Sequence, residues 1–177
     1  EAWIYQSDNA DNTIIDRGNY NFLLQANGTG NANPGLKFYN PAIGWIYSST
    51  ALPVNEWVHV SMTWDDSSDT LIFYKNGVET DTFTGLESLS STAGPVNIGR
   101  QDPNGCRCNL MNGKIDELRL WNVVRSQAEI SANMNSTLAP VISSFTPTSA
   151  GIGATITLTG TNFTGTTAVS FGGTAAS

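Results

Sequence analysis

Residues 57–64, WVHVSMTW, decide the fold class because one set of alternate positions is apolar throughout. Successive side chains of a β-strand point to opposite faces of the sheet, so one face of this stretch would be apolar and the other mixed. The residues predicted to face the core are Val58, Val60, Met62 and Trp64. The stretch therefore predicts a strand with one buried face, as antiparallel sheets commonly have.

The neighbouring sequence predicts that this strand belongs to a larger antiparallel sheet. Asn76 and Gly77 separate two further strand-like runs, 71–75 and 78–83, and both residues tolerate the positive φ of a two-residue hairpin turn. Similar runs rich in β-branched and aromatic residues recur at 2–6, 13–16, 20–26, 36–39, 45–48, 96–98 and 114–122. Many short strands separated by turns indicate an all-β sandwich or barrel.

One short helix is predicted after the last of these strands. Ser126 can cap the first helical turn, and Glu129, three residues later, can complete a capping box. The helix is expected to end near Met134. Residues 136–149 are rich in Ser, Thr and Pro, which is typical of a joint between domains. We therefore expect one domain over 1–137 and a truncated second domain over 138–177.

The charge balance restricts the partners of the chain. Only 13% of the 177 residues are charged, and the formal net charge is -7 at pH 7. Nucleic acid and anionic membrane surfaces are bound by basic patches, which this composition does not supply. No apolar run approaches the roughly 18 residues of a membrane span. We expect a soluble, monomeric module from a longer extracellular or cell-surface protein.

Several motifs, taken in order, resemble the laminin G-like jelly-roll domains of the concanavalin A-like lectin/glucanase superfamily. The motifs are EWVHV at 56–60, TWD at 63–65, NGV at 76–78, NIG at 97–99 and NGKIDELRLWN at 112–122. The resemblance covers about residues 1–135 and implies an antiparallel two-sheet jelly roll. The first strand that is usual in this family would precede Glu1.

The last part of the chain is similar to the first half of an immunoglobulin-like TIG domain. The motifs that carry this resemblance are PVISSFTP at 140–147, GTNF at 160–163 and SFGG at 170–173. It implies a truncated immunoglobulin-like β domain. Such domains usually act as spacers in secreted or surface-exposed bacterial proteins, so it also implies an exported, modular parent protein.

Asp116 is a candidate metal ligand. If 114–122 is one regular strand, Asp116 shares the core face with Leu118 and Leu120, and a buried carboxylate needs a partner. The resemblance implies calcium, because jelly-roll relatives often bind this ion at the rim of the sandwich and calcium prefers oxygen ligands. The alternative is hydrogen bonding from loop backbone N–H groups, or from Arg100 or Arg119, and both interpretations stay open.

Aromatic residues give a candidate ligand site. Trp45, Tyr47 and Tyr39, together with Tyr20, could form a platform on which sugar rings stack, since aromatic faces suit the apolar faces of pyranose rings. Packing in the core or on a sheet face is the alternative for most aromatic side chains. The Asn- and Gly-rich loops 27–35 and 101–109 are predicted to form the rim of a binding site.

Cys106 and Cys108 are the two cysteines of the chain, with one residue between them. In an extended strand their Cα atoms would lie about 6.5 Å apart, near the upper limit for a disulfide bond. A strained local disulfide and a pair of free thiols therefore both remain open.

Catalytic residues are not apparent in the sequence. His59 is the only histidine and lies in mid-strand without a nucleophile motif. The glucanase branch of the superfamily uses paired carboxylates on one strand, whereas the adjacent Asp116 and Glu117 would point to opposite faces. We expect a non-catalytic module that binds a glycan or a cell-surface protein in carbohydrate recognition or cell adhesion. The alternatives are a structural spacer and an accessory domain of a glycoside hydrolase.

Overall fold

The computed structural model describes residues 1–18, 22–26, 35–90, 94–101, 108–135, 141–151, 153–161, 163, 169–171 and 174–175. The chain divides into two compact units, Glu1–Asn135 and Ser136–Ser177. The first unit contains two antiparallel five-stranded sheets. They form the predicted antiparallel sandwich, which confirms the all-β fold class.

The two sheets have the following strands. The first sheet, in the order β10-β1-β6-β7-β8, consists of β10 (Gly113–Asp116), β1 (Ala2–Gln6), β6 (Trp57–Asp65), β7 (Thr70–Lys75) and β8 (Val78–Phe83). The second sheet, in the order β5-β4-β3-β2-β9, consists of β5 (Gly44–Tyr47), β4 (Leu36–Asn40), β3 (Phe22–Ala26), β2 (Asn12–Arg17) and β9 (Val96–Ile98).

The hydrophobic core lies between the sheets. Its buried side chains include Ile4, Val58, Val60, Leu71 and Phe73 of the first sheet and Ile14, Leu24, Leu36 and Phe38 of the second. The alternation in β6 therefore predicted its core face correctly, with Val58 and Val60 buried and Met62 and Trp64 partly buried against the core. The prediction of a single buried face was wrong, because His59, Ser61 and Thr63 on the opposite face are buried too. Sheet faces of this kind pack because their alternate apolar side chains leave water together.

The last strand of the first sheet differs from the prediction. β10 ends at Asp116, and Glu117 adopts a positive φ of 50°, which interrupts the alternation on which the prediction rested. Leu118 is partly buried against the core, but Leu120 is 64% exposed, so its assignment to the core was wrong. Ile115 packs against the core instead.

The predicted helix is confirmed as α1 (Gln127–Asn133), which packs against the hairpin formed by β7 and β8 of the first sheet. Ser126 and Glu129 form the predicted capping box. The Trp3 indole Nε1 donates to the Met134 carbonyl over 2.7 Å, and the buried Ile130 anchors the helix. These contacts tie β1 to a segment more than 120 residues later in the chain.

The predicted Asn76-Gly77 hairpin turn is confirmed between β7 and β8, with both residues at positive φ. The Ser131 Oγ of α1 donates to the Gly77 carbonyl over 2.7 Å. A Cβ added to Gly77 would lie 2.5 Å from the Ser131 Oγ and 2.9 Å from the Ser131 Cα. Gly77 therefore meets two requirements, a left-handed backbone and a close approach to the helix.

Gly77→Ala is expected to lower the free energy of unfolding by about 2 to 3 kcal/mol, because a strained φ adds about 1 to 2 kcal/mol to the clash with α1. Gly85→Ala is the matched control, since Gly85 also has a positive φ, of 67°, but open space around its Cβ position. Urea denaturation of both variants measures the difference. Equal losses would contradict close packing of the hairpin against the helix.

The second unit contains two small antiparallel pairs. β11 (Val141–Thr146) pairs with β12 (Thr157–Thr161), with a bulge between Ile142 and Ser144. β13 (Ser170–Phe171) pairs with β14 (Thr174–Ala175).

Candidate functional site

The strands β4 and β5 bring the three predicted aromatic residues together. Tyr39 lies directly opposite Trp45 in the ladder, and Lys37 lies opposite Tyr47. Because Leu36 and Phe38 of β4 are buried in the core, Lys37 and Tyr39 point to the outer face of the second sheet. Tyr39, Trp45 and Tyr47 therefore form one surface, called here the aromatic platform.

The rings of the aromatic platform lie in a row. The Tyr39 and Trp45 ring centroids are 5.0 Å apart, with the planes inclined by 47°. The Trp45 and Tyr47 centroids are 6.1 Å apart, with the planes only 23° from parallel. Tyr47 is 43% exposed, whereas Trp45 and Tyr39 are half-buried. The platform thus offers solvent its largest aromatic surface at Tyr47.

Hydrogen bonds hold the ends of the β4–β5 hairpin in place. The Asn40 Oδ1 accepts from the Ala42 backbone N–H over 3.0 Å inside the turn. At the other end, the Asp81 carboxylate of β8 accepts from the Ser48 hydroxyl over 2.5 Å and from the Ser49 hydroxyl over 2.6 Å. Burial raises the pKa of Asp81, but the hydrogen bonds from Ser48 and Ser49 outweigh it and lower the pKa overall. The strand that carries Tyr47 is therefore anchored to the opposite sheet.

Lys37 is the cation next to the aromatic platform. Its Nζ lies 4.9 Å from the Trp45 ring centroid, which is a cation–π distance, and 2.6 Å from the Asp11 Oδ1. The Lys37 side chain is 9% exposed and the Asp11 side chain 29%. The lysine is therefore held between an aromatic face and a carboxylate on the segment that leads into β2.

A second exposed aromatic pair lies on the first sheet and was missed by the sequence reasoning. Tyr5 of β1 and Trp57 of β6 are opposite each other, with ring centroids 5.8 Å apart in an edge arrangement. The Lys114 Nζ lies 5.3 Å from the Tyr5 centroid, and Trp57 is 40% exposed. The alternation had placed Trp57 on the mixed face of its strand, but the pairing of β1 with β6 could not be read from local sequence.

Asp116 does not occupy the position predicted for it. It pairs with Trp3, whereas its neighbour Ile115 pairs with the buried Ile4, so Asp116 points outward and is exposed. The Asp116 Oδ1 accepts from the Glu117 backbone N–H over 2.8 Å. The expectation of a buried carboxylate was wrong because the strand ends there. Because the exposed Asp116 carboxylate stays in contact with water, it does not need a partner to offset a cost of desolvation.

Calcium at Asp116 is not supported by these surroundings. Calcium takes six to eight oxygen ligands, commonly with several carboxylates among them. Within the described ranges, no group of three or more His, Cys, Asp or Glu side chains could hold a metal ion. The described neighbours of Asp116 do not fit a calcium site, and calcium elsewhere remains a prediction from the family resemblance.

Two acidic segments form turns. The Asp8 carboxylate accepts from the Asn112 side chain over 2.7 Å and from the Ala10 backbone N–H over 3.0 Å, and these bonds lower the pKa of Asp8. The Asp65 Oδ1 accepts from the Ser67 hydroxyl and backbone N–H, which lowers the pKa of Asp65. Both carboxylates therefore accept hydrogen bonds from backbone N–H groups of turns, as Asp side chains commonly do.

Part of the predicted site lies outside the described residues. This applies to Tyr20, to 27–34 and 102–107 of the two predicted rim loops, and to Cys106. Cys108 is disulfide-bonded and lies in an isolated bridge opposite Gln101. The pairing of Cys106 with Cys108 and the role of the loops remain predictions.

His59 is enclosed and does not face a cleft. It is 1% exposed, its ring packs edge-on against Trp3 at 5.4 Å, and its Nε2 lies 3.6 Å from the Glu1 carboxylate. Burial lowers the pKa of His59 to about 4, although the Glu1 carboxylate acts to raise it. The imidazole is therefore a buried neutral group of the fold near pH 7.

The helix α1 has seven residues, and within the described residues no helix is long and apolar enough to cross a membrane.

Two antiparallel sheets around one core, with an aromatic surface on an outer face, define the first unit as an all-β sandwich module. A family model of the concanavalin A-like lectin/glucanases superfamily matches residues 1–131, and an IPT/TIG domain model matches residues 140–177. The chain belongs to the concanavalin A-like lectin/glucanases superfamily. The resemblances to a laminin G-like domain and to a TIG domain are thus confirmed. Comparison with curated proteins finds no match.

Solved structures share this fold at low sequence identity. A proposed carbohydrate-binding protein from Bacteroides ovatus has 24% identity and a TM-score of 0.62 over 75% of this chain and 39% of its own. A heptameric SAP-like pentraxin from Limulus polyphemus has 18% identity and a TM-score of 0.62 over 73% of this chain and 65% of its own.

A third structure is domain 4 of AbnA, an extracellular GH43 arabinanase from Geobacillus stearothermophilus, in complex with arabinotriose. It has 19% identity and a TM-score of 0.56 over 74% of this chain and 63% of its own. The present chain spans less than two thirds of each of these three proteins. At these identities the likeness concerns the fold.

Proposed function

We propose that the first unit is a non-catalytic carbohydrate-binding module and that the aromatic platform is its sugar site. The observation that carries this proposal is the row formed by Tyr39, Trp45 and Tyr47 on the outer face of β4 and β5. An aromatic row on the outer face of a sheet lies outside the core between the sheets. It is suited to a ligand with flat apolar faces and polar edges.

Sugar rings have this character. Their C–H groups form apolar faces that gain free energy when an aromatic ring removes them from water, while their hydroxyl groups stay at the edges. The near-parallel Trp45 and Tyr47 rings, held by an anchored hairpin, require little reordering on binding. Such preorganisation improves affinity because less conformational entropy is lost.

The comparisons support this proposal by analogy. One structural neighbour is a proposed carbohydrate-binding protein, and another is an arabinanase domain in complex with arabinotriose. We further propose that the module belongs to a longer extracellular or cell-surface protein, where it attaches its parent to a glycan. An accessory domain of a glycoside hydrolase would work in the same way. The TIG match over 140–177 favours a spacer as the second candidate for that part of the chain.

Tyr47→Ala is expected to weaken glycan binding at least about tenfold, which corresponds to about 1.4 kcal/mol. The reason is that Tyr47 supplies the most exposed ring of the platform. A glycan array followed by titration calorimetry with arabinotriose and maltotriose measures the effect.

Trp57→Ala is the matched control, because Trp57 is an exposed aromatic residue of similar accessibility on the other sheet. Its affinity should equal that of the unaltered protein. Loss of binding in Trp57→Ala but not in Tyr47→Ala would move the site to the Tyr5–Trp57 pair. Absence of binding to every glycan of the array would overturn the proposed function and favour the spacer.

A further inference from the structure

We propose that Asp11 makes the aromatic platform selective for neutral glycans over glycans that carry carboxylates. This inference rests on the proposed function and adds a specificity residue to it. Lysine next to an aromatic sugar platform would ordinarily favour an acidic sugar, since its ammonium group forms charge-assisted hydrogen bonds with carboxylates. In this structure that position is already taken by a carboxylate of the chain itself.

The geometry places Asp11 on the ammonium group of Lys37. The 2.6 Å distance between the Lys37 Nζ and the Asp11 Oδ1 is a close charge-assisted contact. The Lys37 side chain is 9% exposed, so solvent screens this pair less than it would screen a surface pair. Asp11 is the more accessible member, at 29%. A ligand that approaches Lys37 from solvent therefore meets the Asp11 carboxylate as well.

The platform is close enough to be affected by this pair. The Lys37 Nζ is 4.9 Å from the Trp45 centroid, and Lys37 lies directly opposite Tyr47 in the ladder. A uronate bound beside the Trp45 ring would bring its carboxylate near Asp11, which contacts the ammonium group next to that ring, and like charges within a few ångströms repel each other. A neutral sugar has no such repulsion.

The net charge of the chain also disfavours the binding of acidic glycans. Raising the salt concentration distinguishes this long-range effect from the local effect of Asp11. A formal charge of -7 repels polyanions over a long range. At about 0.15 M ionic strength the Debye length is about 8 Å, and it shortens further at higher salt. Discrimination that persists at about 0.5 M salt therefore originates close to the platform.

The test compares arabinotriose and maltotriose with the same oligosaccharides after oxidation of their primary alcohols to carboxylates. The unaltered protein is expected to bind the neutral form at least about tenfold more tightly at both salt concentrations. Asp11→Asn keeps an oxygen that can accept from Lys37 but removes the negative charge. It should leave affinity for the neutral form within about twofold and improve affinity for the oxidised form about tenfold or more.

The second variant combines Asp11→Asn with Lys37→Met. Its affinity for the oxidised form should not improve, because it lacks the ammonium group that Asp11→Asn frees. Thermal melts confirm that each variant is folded. Equal binding of neutral and oxidised forms by the unaltered protein, or an unchanged ratio in Asp11→Asn, would overturn this inference while leaving the proposed function intact. Binding of neither form by any variant, together with an empty glycan array, would overturn both.

Discussion

Phe73→Ala is expected to lower the free energy of unfolding of the sandwich by about 3 to 5 kcal/mol. Phe73 lies in β7, is fully buried, and packs edge-on against Phe83 at a centroid distance of 6.1 Å. Its truncation removes apolar burial and leaves a cavity between two sheets that are fixed by their hydrogen-bonded ladders. Urea denaturation followed by tryptophan fluorescence reports this loss for the sandwich, because all five tryptophans lie within residues 1–135.

Leu120→Ala provides the contrast to this truncation. Leu120 was expected in the core, where its loss would cost about 2 to 5 kcal/mol, but at 64% exposure we expect a change within about 0.5 kcal/mol. The two substitutions together test whether the structure assigns the two side chains correctly. A large loss in Leu120→Ala, or a small one in Phe73→Ala, would contradict the described core.

The difference between these residues shows where sequence periodicity is informative. β6 is a regular nine-residue strand, so every second side chain is inward and its core face was predicted correctly, although its opposite face is also largely buried. In 112–122 the same rule was applied past Asp116, where Glu117 turns the backbone to a positive φ. Glutamate carries no local signal for that conformation, which non-glycine residues seldom adopt. The alternation of inward and outward side chains therefore holds only as far as Asp116, where β10 ends.

The candidate site was predictable in part for a similar reason. Tyr39, Trp45 and Tyr47 lie on two strands joined by a short hairpin, so local sequence already places them close together. Lys37 and Asp11 are separated by 26 residues along the chain. Their contact depends on the order of β2, β3 and β4 in the sheet, and a single sequence taken alone does not fix that order. Long-range ion pairs of this kind need the tertiary structure.

The environment of His59 is also formed by residues that are distant in the sequence, and it affects how stability depends on pH. It lies on the outer face of β6, beneath the contacts that Trp3 makes with the end of α1. The charged groups that face it are the Glu1 carboxylate, the Glu1 amino group and the Arg119 guanidinium. Burial has the largest effect and lowers the pKa of His59 from 6.5 to about 4. The Glu1 carboxylate opposes this shift, while the other two groups reinforce it.

Lowering the pH from 7.5 to 5 is expected to reduce the free energy of unfolding by about 2 kcal/mol through His59. In this window the unfolded chain binds a proton at His59, whose ordinary pKa is 6.5, whereas the folded chain does not until about pH 4. Protonation therefore favours the unfolded state, so stability is greatest above pH 6.5 and falls toward pH 4. Chemical denaturation at several pH values measures this slope.

His59→Gln removes this titrating group and should make the dependence between pH 7.5 and 5 shallower by about 2 kcal/mol over the window, whatever its effect on stability at pH 7.5. The slope that remains comes from the Glu1 amino group, whose pKa burial lowers in the folded state, so that it too disfavours folding as the pH falls. The carboxylates do not obscure this comparison, because hydrogen bonds lower the pKa values of Asp8, Asp65 and Glu129 in the folded state. Their contributions are lost mainly below about pH 5, where the unfolded carboxylates begin to bind protons. Parallel slopes for the two proteins above pH 5 would show that His59 can take up a proton in the folded state. In that case the imidazole would not be desolvated, and the described enclosure by Trp3 and Glu1 would be wrong.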